Sequence, residues 1–144
     1  MAGLALGAGA QTELRVQGGR FTVRGDATFL YGLSYYGGVG ASDETLKRDL
    51  DAAQRYGFNW IRVGATWTAY SNDVAVVDAE GRPRADQMDK LRRLVTDCDR
   101  RGLVVDVTIG RGNWTGNPAM LRTPEAHRRA VSVLVGELKS YRNW

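Results

Sequence analysis

The sequence predicts an α/β fold in which helices pack against a parallel sheet. Two observations carry this prediction: an amphipathic helix pattern runs into Gly57 and again into Gly102, and each glycine opens a short apolar strand pattern. Neither strand, at residues 58–63 and 103–109, alternates cleanly between apolar and polar side chains. Both faces of such strands need cover, as in parallel sheets flanked by helices. The repeated helix–glycine–strand unit therefore predicts βα architecture.

The N-terminal part predicts a small hairpin. Apolar segments at 14–16 and 21–23 flank a glycine turn at 17–20, the pattern of two short antiparallel strands. Residues 1–10 are small and apolar but lack a positively charged start, so we expect residues 1–13 to be a disordered tail or a signal remnant. Residues 14–144 are then the domain, and both secreted and cytoplasmic locations remain open.

The first core strand and helix follow the hairpin. Residues 29–34 predict the strand, and Ser42 is a good N-cap with acidic residues in the turn that follows it. The first helix then runs to about residue 56. Its buried stripe consists of Leu46, Leu50 and Ala53.

A long connection separates the second strand from the second helix. Residues 64–85 form a linker of unusual length, which in compact domains is usually functional or mobile, and we expect it to be mobile here. Asp86 is the predicted cap of the second helix, which reaches at least Cys98. Thr123, followed by a proline, begins the third helix.

Composition excludes several classes of protein. With 43% apolar and 25% charged residues the chain is of the soluble globular type, and no apolar run approaches a membrane span. The net charge of +4 comes mainly from arginines on helices whose other faces are apolar, a solvated surface rather than a nucleic-acid stripe. Cys98 and His127 are each the only residue of their type, so we expect no internal disulfide, no metal site and no cofactor.

The loops after the strands are the candidate functional region. They are long or rich in glycine, whereas the helix-to-strand turns are tight. In a βα barrel the active site is built from these βα loops. Aromatic rings with polar tips suit the flat apolar faces of sugars and also line other pockets. The aromatic residues placed there are Tyr35, Tyr36, Trp67, Tyr70 and Trp114.

Two charges interrupt the apolar strands. Arg62 lies near the end of the second strand, and Asp106 and Thr108 share one face of the third, which we expect to point into the interior. An unpaired buried charge is costly, so Arg62 and Asp106 are expected to pair. The pair is either the floor of an active site or an ion pair that only fixes packing.

Three blocks of sequence, at residues 29–38, 56–63 and 101–108, resemble a known family. Together they are similar to the first three βα units of the retaining (β/α)8 glycoside hydrolases, the cellulase and mannanase clan that includes family 5. The most specific element is Arg62 with the preceding Gly57 and Asn59, because the arginine of the clan sits beside its nucleophile.

The resemblance implies a partial TIM barrel of three βα units preceded by a hairpin. It also implies hydrolysis of O-glycosidic bonds in polysaccharides or oligosaccharides, with carbohydrate as the partner. The resemblance, combined with the placement of aromatic residues in the βα loops, implies a set of substrate-binding residues. They are Tyr35, Tyr36, Arg62, Trp67, Asp106 and Trp114.

The sequence also departs from the clan. Gly110 and Arg111 stand where the third strand of the clan commonly ends in a histidine. The acid/base and nucleophile glutamates of the clan lie on its fourth and seventh strands, and retention needs two carboxyl groups about 5–5.5 Å apart. Asp106 is the one interior carboxylate that the pattern places, so we expect no catalytic residues and no activity of this chain alone.

A second interpretation is a self-associating half-barrel that serves as a carbohydrate-binding or structural module. Helices on one side of three strands would leave the other sheet face open to water, which favours a homodimer or a higher homo-oligomer. The residues expected on that open face are Leu30, Phe58, Trp60 and Val104.

Overall fold

A computed structural model describes residues 11–109 and 121–144. In chain order its elements are β1 (Leu14–Gln17), β2 (Arg20–Val23), β3 (Asp26–Ala27), β4 (Gly32–Ser34), a 3-10 turn (Gly38–Gly40), α1 (Asp43–Arg55), β5 (Trp60–Gly64), β6 (Thr68–Ala69), β7 (Asn72–Asp73), α2 (Ala85–Asp99), β8 (Val104–Thr108) and α3 (Pro124–Leu138).

The N-terminal hairpin is present and is tied to the rest of the molecule. Strands β1 and β2 pair antiparallel as predicted, and β3 adds a third short strand. The amide of Leu14 donates to the carbonyl of Arg142 at 2.9 Å. Thr12, within the segment expected to be a tail, is buried, and its amide donates to the Asp99 carboxylate at 2.6 Å.

The central sheet is parallel, with strand order β4–β5–β8. In this register Ser34, Arg62 and Asp106 are neighbours on one face. The alternate residues, including Ile61 and Val105, belong to the core under the helices. One face of the sheet is thus apolar and packed against helices, and the other carries the polar residues.

The helix starts follow the predicted caps with one exception. The Ser42 hydroxyl accepts from the Thr45 amide at 3.2 Å, and the Thr123 hydroxyl accepts from the Ala126 amide at 3.1 Å. The prediction of Asp86 as the cap of α2 is wrong, because it lies in the first helical turn. The residue at the N-cap is Arg84, whose backbone is extended and whose amide bonds to the Val76 carbonyl.

Both predicted glycine stops adopt left-handed backbone conformations. Gly57 has a φ of +81° and Gly102 a φ of +73°. After each glycine the next amide bonds back into the last helical turn, from Phe58 to Ala53 and from Leu103 to Cys98. This is the Schellman arrangement, in which glycine avoids the steric cost of a Cβ.

The connection between β5 and α2 is docked onto the core. The four residues Val74, Ala75, Val76 and Val77 are buried, and the Val76 amide donates to the Ala65 carbonyl at 2.8 Å. The expectation of a mobile segment does not fit this packing. The polar residues at the ends of the segment led to the prediction of a mobile loop. Between them lies a short apolar run, which fills space beside the sheet.

We expect the Val76 amide to exchange slowly with solvent. Its hydrogen bond lies among side chains with almost no exposed surface, so opening requires part of the core to separate. Hydrogen-exchange mass spectrometry or NMR should show protection comparable to that of Val104, whose amide donates to Asn59. Exchange of Val76 at the rate of an unstructured chain would contradict the docking.

The sheet face predicted to be open is partly covered. Val104 is 2% exposed, and Leu30, Phe58 and Trp60 are half-buried. The prediction that these residues face water is therefore wrong for Val104 and too strong for Leu30 and Trp60. Phe58 does not lie on this face, because its side chain lines an apolar hollow together with residues of α1 on the helix side of the sheet. The Trp60 ring lies across β4, so close that a Cβ on Gly32 would stand 2.4 Å from its Cε3. None of the helices in the described part of the chain has the length and apolar character needed to cross a membrane.

Candidate functional site

Polar and aromatic side chains meet at the carboxyl ends of the three parallel strands. Strand β4 and its continuation supply two of them, β5 and its following loop two more, and β8 the last. The side chains are Ser34, Tyr36, Arg62, Trp67 and Asp106. This polar cluster lies on the face opposite the helices.

Arg62 and Asp106 form the expected ion pair. The Arg62 Nε donates to Asp106 Oδ2 at 2.8 Å, because paired residues in adjacent parallel strands project from the same face. Their side chains are 39% and 34% exposed, so the pair is accessible and not deeply buried. The carboxylate, through this hydrogen bond, is the main reason why the pKa of Arg62 is raised.

The Arg62 guanidinium has further neighbours that fix its position. It lies 5.2 Å from the centroid of the Trp60 ring, a cation–π geometry. A hydrogen bond with the Tyr36 hydroxyl is the second cause of its raised pKa. With contacts to Asp106, Trp60 and Tyr36, the cation is preorganised at the centre of the site.

Tyr36 connects the charged part of the cluster to an aromatic surface. Hydrogen bonds from the Ser34 hydroxyl and then from the Arg62 guanidinium lower the pKa of the Tyr36 phenol. Its ring stacks on Trp67 with the centroids 4.5 Å apart and the planes 20° from parallel. The site therefore combines a stacked aromatic pair with a cation and a carboxylate.

The structure does not bring Tyr35 into this cluster. The Tyr35 hydroxyl donates to Asp49 of α1 at 2.9 Å, on the helix side of the sheet. Burial, followed by this carboxylate, raises the pKa of the Tyr35 phenol. Successive residues of an extended chain point to opposite faces, so Tyr35 and Tyr36 cannot share one site.

Two other aromatic positions predicted from the sequence are not among the described residues of the polar cluster. Tyr70 is exposed in the turn between β6 and β7, with a φ of +52°. Trp114 and the 110–111 pair lie outside the described residues. Ser34 and Trp60 were not among the predicted substrate-binding residues. Both could have been predicted from the strand register, because both lie on the same sheet face as Arg62.

We expect the ion pair to contribute little to stability. Water screens half-exposed pairs, so the large penalty of an isolated buried charge does not apply to Arg62 or Asp106. In a double-mutant cycle with Arg62→Met and Asp106→Leu, the losses of the single variants should nearly add up to the loss of the double variant. Chemical denaturation monitored by circular dichroism measures this, and a strongly non-additive result would show a buried pair.

Among the described residues, the charged groups of the polar cluster are one cation and one carboxylate. Asp106 is its one carboxylate among the described residues, and it is already engaged by Arg62. Nowhere in the described ranges do three His, Cys, Asp or Glu side chains come together in a way that could hold a metal ion. The exposed edges of the site are a flat aromatic pair and hydrogen-bonding groups.

The similarity of this molecule to known proteins lies in its fold. No family model matches the sequence, and no curated protein matches it. Solved structures do match. A glycoside hydrolase family 5 structure from Bacteroides vulgatus ATCC 8482 superposes with a TM-score of 0.66 at 12% identity, over 93% of this chain and 31% of that one.

Two mannosidases share the same fold. The exo-β-1,4-mannosidase Op5Man5 from Opitutaceae bacterium strain TAV5 matches with a TM-score of 0.57 and 20% identity, over 76% of this chain and 22% of that chain. The glycoside hydrolase family 5 mannosidase from Rhizomucor miehei gives the same TM-score and identity, over 75% of this chain and 29% of that chain.

These likenesses confirm the resemblance at the level of the fold. The chain has the α/β fold, with a parallel sheet, of part of a TIM-barrel glycoside hydrolase of family 5 type. It spans less than a third of the length of each of these three structures, 22% to 31%.

Proposed function

We propose that residues 14–144 are three βα units of a TIM barrel, preceded by a hairpin, in a carbohydrate-active protein. The observation that carries the proposal is the polar cluster at the strand ends, where the Tyr36–Trp67 stack adjoins the Arg62–Asp106 pair. Active sites of TIM barrels lie at this end of the strands. The function of the whole barrel would be hydrolysis of O-glycosidic bonds in polysaccharides or oligosaccharides.

Each part of the cluster has a role in binding a sugar. The exposed edge of the Tyr36–Trp67 pair suits the apolar face of a pyranose ring. Arg62 and Asp106 offer a donor and an acceptor to hydroxyl groups, as polar groups do in largely aromatic sites. The exo-β-1,4-mannosidase among the structural neighbours makes β-1,4-mannosides the first sugars to test.

This chain alone is proposed to bind and not to hydrolyse. A retaining mechanism needs an acid/base and a nucleophile as two carboxyl groups about 5–5.5 Å apart. Asp106 alone cannot take both roles, and its Oδ2 atom is already engaged by the Arg62 Nε. We therefore assign Asp106 a role in orienting the bound sugar.

Titration of the chain with β-1,4-mannobiose and cellobiose, followed by NMR, tests the binding. Trp67→Ala should abolish the shifts, while Phe21→Ala should not, because Phe21 is an exposed aromatic residue on the N-terminal hairpin. An aryl β-mannoside should not be turned over. Unchanged binding in Trp67→Ala would contradict the proposed site, and turnover that disappears in Asp106→Asn would contradict the lack of catalysis.

A second candidate function is that of a self-associating module. It is favoured by exposed aromatic side chains directly before β4 in the chain, Phe29 at 84% and Tyr31 at 54% exposure. Monomers rarely leave such groups together in water. In this role the half-barrel would form a homodimer or higher homo-oligomer that holds carbohydrate or serves as a structural unit. The mass of the chain in solution separates this role from that of a monomeric binding domain.

A further inference from the structure

The small hairpin of β6 and β7 turns at two residues that are unusual for such a turn. Tyr70 and Ser71 lie between the paired strands with φ angles of +52° and +60°. Two-residue turns with both angles positive follow the type I′ pattern, which favours asparagine and glycine because larger side chains are strained there. A tyrosine held in this conformation indicates that contacts outside the turn keep it in place.

The ring of Tyr70 lies on the turn that follows β4. A Cβ added to Gly40 would stand 3.3 Å from Tyr70 Cδ2, and a Cβ added to Gly37 would stand 3.8 Å from Tyr70 Cε2. The Cβ added to Gly37 would also stand 2.8 Å from the Ala69 Cβ in β6. The absence of side chains at these two glycines therefore lets the β6–β7 hairpin pack directly on the backbone of the turn.

Tyr35 supports the same turn from the helix side of the sheet. A Cβ added to Gly38, the first residue of the 3-10 turn, would stand 2.7 Å from Tyr35 Cδ1. The Tyr35 hydroxyl donates to Asp49 of α1 at 2.9 Å. Burial, then Asp49 and then Tyr70 raise the pKa of the Tyr35 phenol, so the two tyrosines are neighbours. Contacts thus run from α1 through Tyr35 and the 3-10 turn to the hairpin.

The same hairpin determines where Trp67 lies. Trp67 directly precedes β6, and its carbonyl accepts from the amide of Val74, directly after β7, at 3.0 Å. A Cβ added to Gly64 would stand 2.9 Å from the Trp67 Cβ, so the residue is also close to the end of β5. Any displacement of the hairpin therefore moves Trp67 relative to Tyr36, on which its ring stacks.

We propose that Tyr35 and Tyr70 are positioning residues, which hold the β6–β7 hairpin on the 3-10 turn and thereby fix Trp67 in the polar cluster. The proposal rests on the sugar-binding function proposed above. Neither residue touches the sugar, because both act through Trp67. Two consecutive tyrosines then serve one site from opposite faces of the chain, Tyr36 within the site and Tyr35 as its support.

A substitution of the turn residues tests the role of the Tyr70 ring. Tyr70→Asn combined with Ser71→Gly keeps the hairpin, because these residues suit its turn, but removes the ring. The indole N–H signal of Trp67 in NMR, assigned by its loss in Trp67→Phe, should shift because its position relative to the Tyr36 ring changes. The dissociation constant for β-1,4-mannobiose should rise about tenfold, the equivalent of one aromatic pair. The melting temperature should stay nearly the same, since relief of the backbone strain offsets the lost ring contact.

Gly37→Ala tests the contact between the hairpin and the turn without changing either tyrosine. Gly37 has a φ of −83°, which alanine also adopts, but the new Cβ would meet Ala69 and push the hairpin away. The Trp67 signal and the affinity should change as in the turn variant. Adding Ala69→Gly removes the obstructing atom and should restore both. Tyr56→Ala, at a tyrosine that is 71% exposed at the end of α1, is the matched control and should change neither.

Tyr35→Phe tests the support from the helix side. It removes the hydroxyl that bonds to Asp49 and should shift the Trp67 signal in the same direction. An unchanged Trp67 signal in this variant, in Gly37→Ala or in the turn variant overturns the positioning role. If the signal shifts in all of them but the unmodified chain binds no sugar, the sugar-binding function fails while the positioning of Trp67 stands.

Discussion

Gly81→Ala should lower the free energy of unfolding by about 3 kcal/mol. Gly81 has a φ of +77°, and a Cβ built on it would stand 2.1 Å from the Ala126 carbonyl oxygen of α3. Two costs add: the left-handed conformation disfavours any side chain, and the clash is with helix backbone that cannot rotate away. The connection between β5 and α2 would have to lift from α3, which uncovers the buried Val76 and Val77.

Gly57→Ala is the matched control for this prediction. Gly57 has nearly the same backbone angle, +81°, but nothing lies within 4 Å of its added Cβ. Its expected loss is therefore the conformational cost alone, about 1 kcal/mol. Urea denaturation of the two variants gives the difference. Equal losses would show that the close approach of the connection to α3 contributes nothing.

Asn143→Ala should cost about 2–3 kcal/mol. Asn143 is fully buried, and its amide donates to the carbonyls of Val95 at 3.2 Å and Leu103 at 3.1 Å. Truncation leaves both carbonyls without this partner in a buried environment. Since the backbone carbonyl of Asn143 also accepts from the Val105 amide at 2.7 Å, the edge of β8 should loosen as well.

Two further variants decide whether the amide group is the cause. Arg142→Ala, at the exposed neighbouring side chain, should be nearly neutral. Asn143→Asp keeps the shape but turns a donor into an acceptor facing two carbonyls, so it should be worse than alanine at neutral pH. Thermal unfolding of the three proteins measures the order. An aspartate variant as stable as the wild type would show that the hydrogen bonds to Val95 and Leu103 are unimportant.

The features that sequence predicted best are those set by local chemistry. Ser42 and Thr123 cap helices because a hydroxyl can accept from the exposed amides of the first turn. Gly57 and Gly102 end helices because only glycine adopts their conformation freely. The Arg62–Asp106 pair was also predictable, since two charges on neighbouring apolar strands have few other partners.

The features that sequence missed depend on contacts between distant segments. Tyr35 and Tyr36 are chemically alike and must point to opposite faces of the extended chain, but the positions of α1 and Arg62 decide which of the two faces the site. The segment from Val74 to Val77 reads as loop until the space beside the sheet is known. The solvent exposure of the sheet face opposite the helices was overestimated, because a ring as large as that of Trp60 can lie across a neighbouring strand at a glycine.

The polar cluster draws Ser34, Arg62 and Asp106 from three different strands. A ligand that touches all three binds only when the strands are paired, so its binding free energy is added to the stability of the sheet. At a concentration of 100 times its dissociation constant, such a ligand stabilises the folded state by about 2.7 kcal/mol. The melting temperature of this small domain is therefore itself an assay. A panel of sugars can be ranked by the temperature at which the sheet comes apart, without any turnover.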